Sequence, residues 1–211
     1  MSRVRVHQHV NPLAPFYRFT PKPIEIEKVF ANPHLPLHLD IGSARGRFLL
    51  RIAEVKPDWN FLGVEIREPL VEEANKIRDE NNLINLHYEF CNATYALDKL
   101  LENFPADVLQ MVTVQFPDPW YKKKHAKRRM VKDNLVETVV RHLKLNGKIF
   151  IQTDVDFLAE EMFATFRENR NLRETEIVEN PFPVKTEREA AVEEKSLPVY
   201  RRIFKKIEQI K

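Results

Sequence analysis

Residues 37–46 read Leu-His-Leu-Asp-Ile-Gly-Ser-Ala-Arg-Gly. The apolar run Leu37–Ile41 ends at a glycine, and residues 48–55 continue with helical spacing. A short strand that turns through glycines into a helix is the opening unit of an α/β fold. Glycine allows the tight turn, and it lets a ligand approach the backbone N–H groups at the start of the helix.

The pattern repeats outward from this unit. Residues 61–66 form a second apolar run. Residues 69–81 are amphipathic and start with a proline, which suits a first helical position. Residues 84–90 alternate as a strand, and 94–103 read as a helix. Residues 108–116, long, apolar and β-branched, suit a central strand. A helix over 131–143, a strand over 147–153 and a helix over 156–169 follow, with closing strands at 172–178 and 200–207. Strands alternating with helices predict a doubly wound, mostly parallel seven-stranded sheet with helices on both faces. Residues 1–36 carry Pro12, Pro15, Pro21, Pro23, Pro33 and Pro36. A short helix is expected around 24–31, and the rest reads as an extended or mobile lead-in. The expected organisation is an N-terminal arm, 1–36, and a single domain, 37–211.

With 211 residues, the chain can build one substantial core. Its 34 basic residues nearly balance 31 acidic ones, so net charge says little about partners. The distribution says more. Cations concentrate after Trp120, while acids dominate 68–80 and 187–194, a field that can steer a polyanion to one face. Arg3, Arg5, His7 and His9 can touch a polyanion or simply be solvated. The one cysteine, Cys91, excludes an internal disulfide and any multi-cysteine zinc site, and no metal is expected. No run is long and apolar enough to span a bilayer, and the N-terminus lacks a signal-peptide core. A cytoplasmic location with no membrane partner is the expectation.

The chemistry gathers at the predicted strand ends, where ligands bind in doubly wound folds. Glu65 closes the second strand, 19 residues after Gly46, and can accept from both hydroxyls of a ribose. A dinucleotide fingerprint starting at Gly42 would need glycines at 44 and 47, where Ala44 and Arg47 stand. The form led by Asp40, with Gly42 and Gly46, fits the nucleoside-methionine pocket of a methyltransferase better. Asn92, past the third strand, can meet an adenine edge or simply start the next helix. Past the fourth strand comes Phe-Pro-Asp-Pro-Trp-Tyr-Lys-Lys-Lys-His-Ala-Lys-Arg-Arg, residues 116–129. Two prolines hold Asp118 in a stiff turn. Trp120 and Tyr121 follow, then Lys122, Lys123, Lys124, His125, Lys127, Arg128 and Arg129, a patch suited to RNA phosphates. Thr153-Asp154 follows the fifth strand. Thr186, Glu187, Arg188 and Glu189 read as a capping box on a loop that can also close over the cleft.

In this order and spacing, these pieces resemble the tRNA (guanine-N7)-methyltransferases, which modify guanine 46 in the variable loop. The resemblance covers about residues 37–207 and is most specific over 116–129. It also includes Gly63-Val64-Glu65, Thr153-Asp154, 186–189 and Pro198-Val199-Tyr200-Arg201. It implies a Rossmann-like class I methyltransferase fold, S-adenosylmethionine as cofactor, tRNA as partner, and a monomer or homodimer. Asp40, Gly42, Gly46, Glu65, Asn92 and Asp118 would lie at the cofactor, and Asp118 would also be the catalytic acid. Lys122, Asp154 and 186–189 would contact the tRNA. Four positions depart from the family pattern. Ala44 replaces a glycine, Asn92 stands where aspartate is common, Tyr121 replaces proline or histidine, and Arg188 replaces an aromatic. Two other readings of the residues stay open: an enzyme that methylates an exocyclic amine, and an RNA-binding protein on a retired methyltransferase fold.

Overall fold

In the computed structural model, residues 10–208 are described, so Arg3, Arg5, His7 and His9 lie outside the described residues. Seven strands form one sheet: β1 (Leu37–Ile41), β2 (Asn60–Glu65), β3 (Leu86–Phe90), β4 (Leu109–Gln115), β5 (Lys148–Thr153), β6 (Leu172–Glu176) and β7 (Tyr200–Lys206). Their order is β3-β2-β1-β4-β5-β7-β6. The first five strands are mutually parallel, and β7 runs antiparallel to both β5 and β6. β1 and β2 are buried along their whole lengths, as parallel strands covered on both faces must be.

Seven helices complete the described chain: α1 (Ile26–Val29), α2 (Arg47–Val55), α3 (Glu68–Glu80), α4 (Ala93–Leu100), α5 (Asp133–His142), α6 (Asp156–Arg167) and α7 (Glu187–Glu194). They leave two apolar layers. One packs α4, α5 and α6 against the sheet around Leu97, Val136, Phe163 and Phe166. The other packs α2 and α3 around Leu49, Phe61, Val71 and Tyr88. Ile24, Ile26 and Phe30 are buried in the first layer, so this part of the proline-rich segment packs as core. Pro15–Tyr17 forms a 3-10 turn.

Where boundaries shift from the sequence expectations they do so by up to three residues, for local reasons. The helix expected over 24–31 is a single turn, closed at Phe30, whose extended backbone leads into the turn before β1. The strand expected from residue 84 starts at Leu86, after a turn in which Asn82 takes φ 54°. The helix expected to reach 103 ends at Leu100.

Candidate active site

The chain reverses its order across the sheet between β1 and β4, and such a switch opens a crevice beyond the carboxyl ends of the parallel strands. Asp40 on β1, Glu65 on β2, Asn92 after β3, Asp118 after β4 and Asp154 after β5 therefore reach the same edge of the sheet.

Asp40 is buried, and its Oδ1 accepts from Thr113 Oγ1 at 2.6 Å and Gln115 Nε2 at 3.4 Å. Because Thr113 Oγ1 donates to Asp40, it accepts in turn from His38 Nε2, 3.0 Å away. Burial pushes His38 down to about 3, so this ring is neutral and works as a strut. Burial also raises the Asp40 carboxyl to about 6, even though the Thr113 and Gln115 hydrogen bonds favour the charged form; the charge of Glu65 adds to the rise. From about pH 4 to 6 the folded chain thus keeps a proton that the unfolded chain has released. Stability should fall as pH rises through that window, by about 2–3 kcal/mol. Urea midpoints from pH 4 to 7 should show this fall in the wild type and lose it in Asp40→Asn.

The glycine loop connects β1 to α2. Gly42 takes φ 86° and Gly46 takes φ 70°, both in the left-handed region that favours glycine. A Cβ on Gly46 would come within 2.5 Å of the Tyr88 ring, whose hydroxyl donates to the Gly46 carbonyl at 2.6 Å. Ala44 also sits at positive φ, 51°, and its N–H donates to Glu65 Oε2 at 2.9 Å. Ser43 Oγ is buried in this loop with no hydrogen-bond partner. An orphaned hydroxyl in a backbone cradle is a feature that a polar ligand completes.

Glu65 is buried and grips Arg67: the Arg67 Nε donates to Oε1 at 2.9 Å and an Nη to Oε2 at 3.0 Å. A ribose diol at Glu65 must share these oxygens or displace the guanidinium. Burial opposes the Arg67 charge, but Glu65 and, beyond it, Asp118 hold the guanidinium above its ordinary range. Asn92 is buried, and both of its N–H donors are taken, by Pro12 O at 2.9 Å and Tyr17 O at 3.1 Å. Toward an adenine, this amide can therefore only accept.

Past β4, Phe116 at φ 50° and Trp120 at φ 45° bracket Pro117-Asp118-Pro119. Non-glycine residues at positive φ cost of order 1–3 kcal/mol each and persist where the surroundings hold them. The holder is Arg129. Its guanidinium donates to Pro119 O at 3.0 Å and Trp120 O at 3.3 Å, pairs with Glu161, and lies 5.0 Å over the Phe157 ring. Arg129 thus faces inward as a clamp, while Lys122, Lys123, Lys124 and Lys127 stay exposed. Arg128 lies over Trp120 at 4.9 Å, and His125 packs edge-on to the same indole, which leaves Tyr121 as the exposed aromatic. Asp118 itself is exposed.

The 186–189 segment starts α7 with the expected capping box: Glu189 N donates to Thr186 Oγ1 at 3.1 Å, and Thr186 N to the Glu189 carboxylate at 3.3 Å. Glu187 pairs with Arg47 of α2, and Arg188 pairs with Asp154. Five of the six expected substrate residues, Asp154, Thr186, Glu187, Arg188 and Glu189, are therefore engaged within the protein. Glu189 is fully buried, and its carboxylate meets Arg201 at 2.8 Å, Asn180 at 2.7 Å and Gln152 at 3.2 Å. Gln152 also donates to Gln115 at 2.8 Å, which links this cluster to Asp40.

Sequence reasoning missed Arg67, Thr113, Gln115, Gln152 and the Pro12–Tyr17 contacts, and it gave Arg201 only as part of the Pro198–Arg201 motif, without its Glu189 partner. For His38 a signal existed, because it and Asp40 alternate on one face of β1. Among the described residues no helix is long and apolar enough to cross a membrane, and no group of three or more His, Cys, Asp or Glu is placed to hold a metal.

The sheet order, the glycine loop and the acids at the strand tips define a Rossmann-like methyltransferase. The solved YcgJ protein from Bacillus subtilis has this fold, with TM-score 0.55 and 16% identity over 83% of this chain and 94% of that one. A SAM-dependent O-methyltransferase from Thermotoga maritima gives TM-score 0.55 and 16% identity over 87% and 63%. A family model described as "Putative methyltransferase" matches residues 34–202. A tRNA (guanine-N(7)-)-methyltransferase of Trichormus variabilis is 51% identical over 97% of both chains, and one of Synechococcus elongatus is 49% identical over 97% of both. This chain belongs to the tRNA (guanine-N7-)-methyltransferase family. Its cofactor is S-adenosylmethionine, which the glycine loop, the orphaned Ser43 hydroxyl and Glu65 fit.

Proposed function

We propose that the chain methylates N7 of guanine 46 in the variable loop of tRNA, with Asp118 as the catalytic carboxylate. The observation that carries this reading is the bracketed turn: an exposed acid held rigidly at the switch-point crevice, followed by a cationic surface. When bound, S-adenosylmethionine would supply the sulfonium methyl group for N7, with the neutral thioether as its leaving group. Guanine N7 has a lone pair and no proton, so this chain needs no strong general base. Its work is to position the base and to offset the positive charge that the purine gains. Asp118 accepts from guanine N1–H and the N2 amine and lies against that charge. Arg129 keeps Asp118 in place by holding the turn's carbonyls. Tyr121, exposed beside Asp118, offers a face on which a base can stack. Lys122, Lys123, Lys124 and Lys127 meet tRNA phosphates. At the cofactor, Asp40, Gly42, Gly46, Glu65 and Asn92 fix donor orientation.

The test is methyl transfer from labelled S-adenosylmethionine to unmodified bulk tRNA, followed by nucleoside digestion and by mapping of the cleavage-sensitive 7-methylguanosine along the chain. Label in 7-methylguanosine at position 46 is the expected result. A methylated exocyclic amine would select the amino-methyltransferase reading instead, and label at another guanine would sink the position.

A further inference from the structure

We propose that the cavity between the N-terminal segment and the basic turn is a phosphate subsite, and that it takes a backbone phosphate of the RNA substrate. The cavity holds about 180 Å³, well above the roughly 10–15 Å³ that one water needs. Arg18, Lys127, Arg128, Arg129 and Lys132 line it, and no carboxylate does. Arg129 is neutralised by Glu161; among the described residues, no ion pair joins the other four to an acid. Like charges gathered around one space repel, and an anion in that space relieves them.

Two further observations lie at the walls of the same cavity. The Nε of Arg128 is buried with no hydrogen-bond partner, while its guanidinium is fixed over Trp120. Helix α4 opens beside it, through Asn92, Thr94 and Tyr95, with no side-chain cap on its first N–H groups. Free N–H groups and the positive end of a helix favour an oxyanion. The walls are also tied together. Asn92 binds the carbonyls of Pro12 and Tyr17, which fixes the segment carrying Arg18. Lys132 Nζ donates to the Lys127 carbonyl, which closes the turn. Arg18 and Lys132 thus extend the cationic surface beyond 122–129, from two elements that only the fold brings together.

The identity of the phosphate's carrier rests on the RNA-substrate reading above; the anion site does not. Arg18→Ala and Lys132→Ala, singly and together, are compared with Lys76→Ala, a control on the exposed face of α3. The readouts are tRNA affinity from 50 to 200 mM salt, S-adenosylmethionine affinity by calorimetry, and melting temperature with and without inorganic phosphate. Each single variant should weaken all tRNAs similarly and flatten the log–log salt slope by about 0.7–0.9, with the double variant losing about twice that. Cofactor affinity should match wild type, and the control should keep the full slope. Unchanged slopes would overturn the proposal. Loss of cofactor affinity in the variants would also overturn it, because the cavity would then belong to the donor pocket. Stabilisation of wild type alone by inorganic phosphate, with unchanged RNA slopes, would overturn the RNA assignment. If wild type forms no 7-methylguanosine while the variants still lose slope, the proposed function fails and the subsite stands.

Discussion

Asp118→Ala is expected to lower kcat for tRNA methylation by about 10²–10³-fold, the usual loss when one preorganised charge partner of a transition state is removed. The argument starts from the backbone. Pro117 and Pro119 restrict the turn, Phe116 and Trp120 hold left-handed conformations on either side, and Arg129 locks both following carbonyls. Alanine fits the same backbone, so the fold should survive and the effect should be chemical. Asp118→Asn keeps the shape and one acceptor but loses the charge. If offsetting charge on the purine matters most, Asn should be nearly as slow as Ala. If recognition of the guanine edge matters most, Asn should recover much of the kcat and differ mainly in KM. Single-turnover kinetics at saturating cofactor separates the two. A kcat for Asp118→Ala within threefold of wild type would remove Asp118 from the chemistry.

Arg201→Met should destabilise the fold by about 3–5 kcal/mol, the cost of leaving a buried charge without its partner. For a domain of this size, that is a fall of roughly 6–20 °C in melting temperature. Glu189 is 0% exposed and Arg201 is 7% exposed, so water cannot replace the lost guanidinium. Gln152, Asn180 and the Thr186 N–H still donate to Glu189, which favours the lower half of the range. Adding Glu189→Gln to Arg201→Met should restore part of the loss by removing the stranded charge. Failure of that second substitution to help would show that Arg201 acts through its other contacts, Gln152 Oε1, Glu193 and the Val178 carbonyl.

Much of this architecture was legible locally. Seven apolar or alternating stretches gave the seven strands, because a strand's periodicity lies within its own few residues. The acids at the strand ends were legible too, since Asp40, Glu65 and Asp118 each follow an apolar run directly. Side-chain roles set by distant partners were not. Arg129 reads as one more cation in a basic run, and only Glu161, Phe157 and the turn's carbonyls show that it faces inward. Asn92 reads as an adenine contact or a helix start, and neither reading shows that its N–H donors hold backbone 75 and 80 residues away. Arg201 belongs to a tyrosine-led strand motif, and its pairing with Glu189 depends on where β7 inserts. Such pairings leave no trace in spacing, because they depend on how separate elements pack.

That insertion also bears on the order in which the protein can be made. Among the described residues β6 has β7 as its only neighbour in the sheet, and β7 lies between β6 and β5. On the ribosome, β6 is therefore synthesised with no strand to pair with, and it waits until residues 200–206 have emerged. The first five strands can assemble earlier, since each of β2 to β5 meets a neighbour already made. The counter-charge for Glu189 arrives on the same late strand, so a nascent chain halted before it would hold an unfinished sheet and an unmatched carboxylate together.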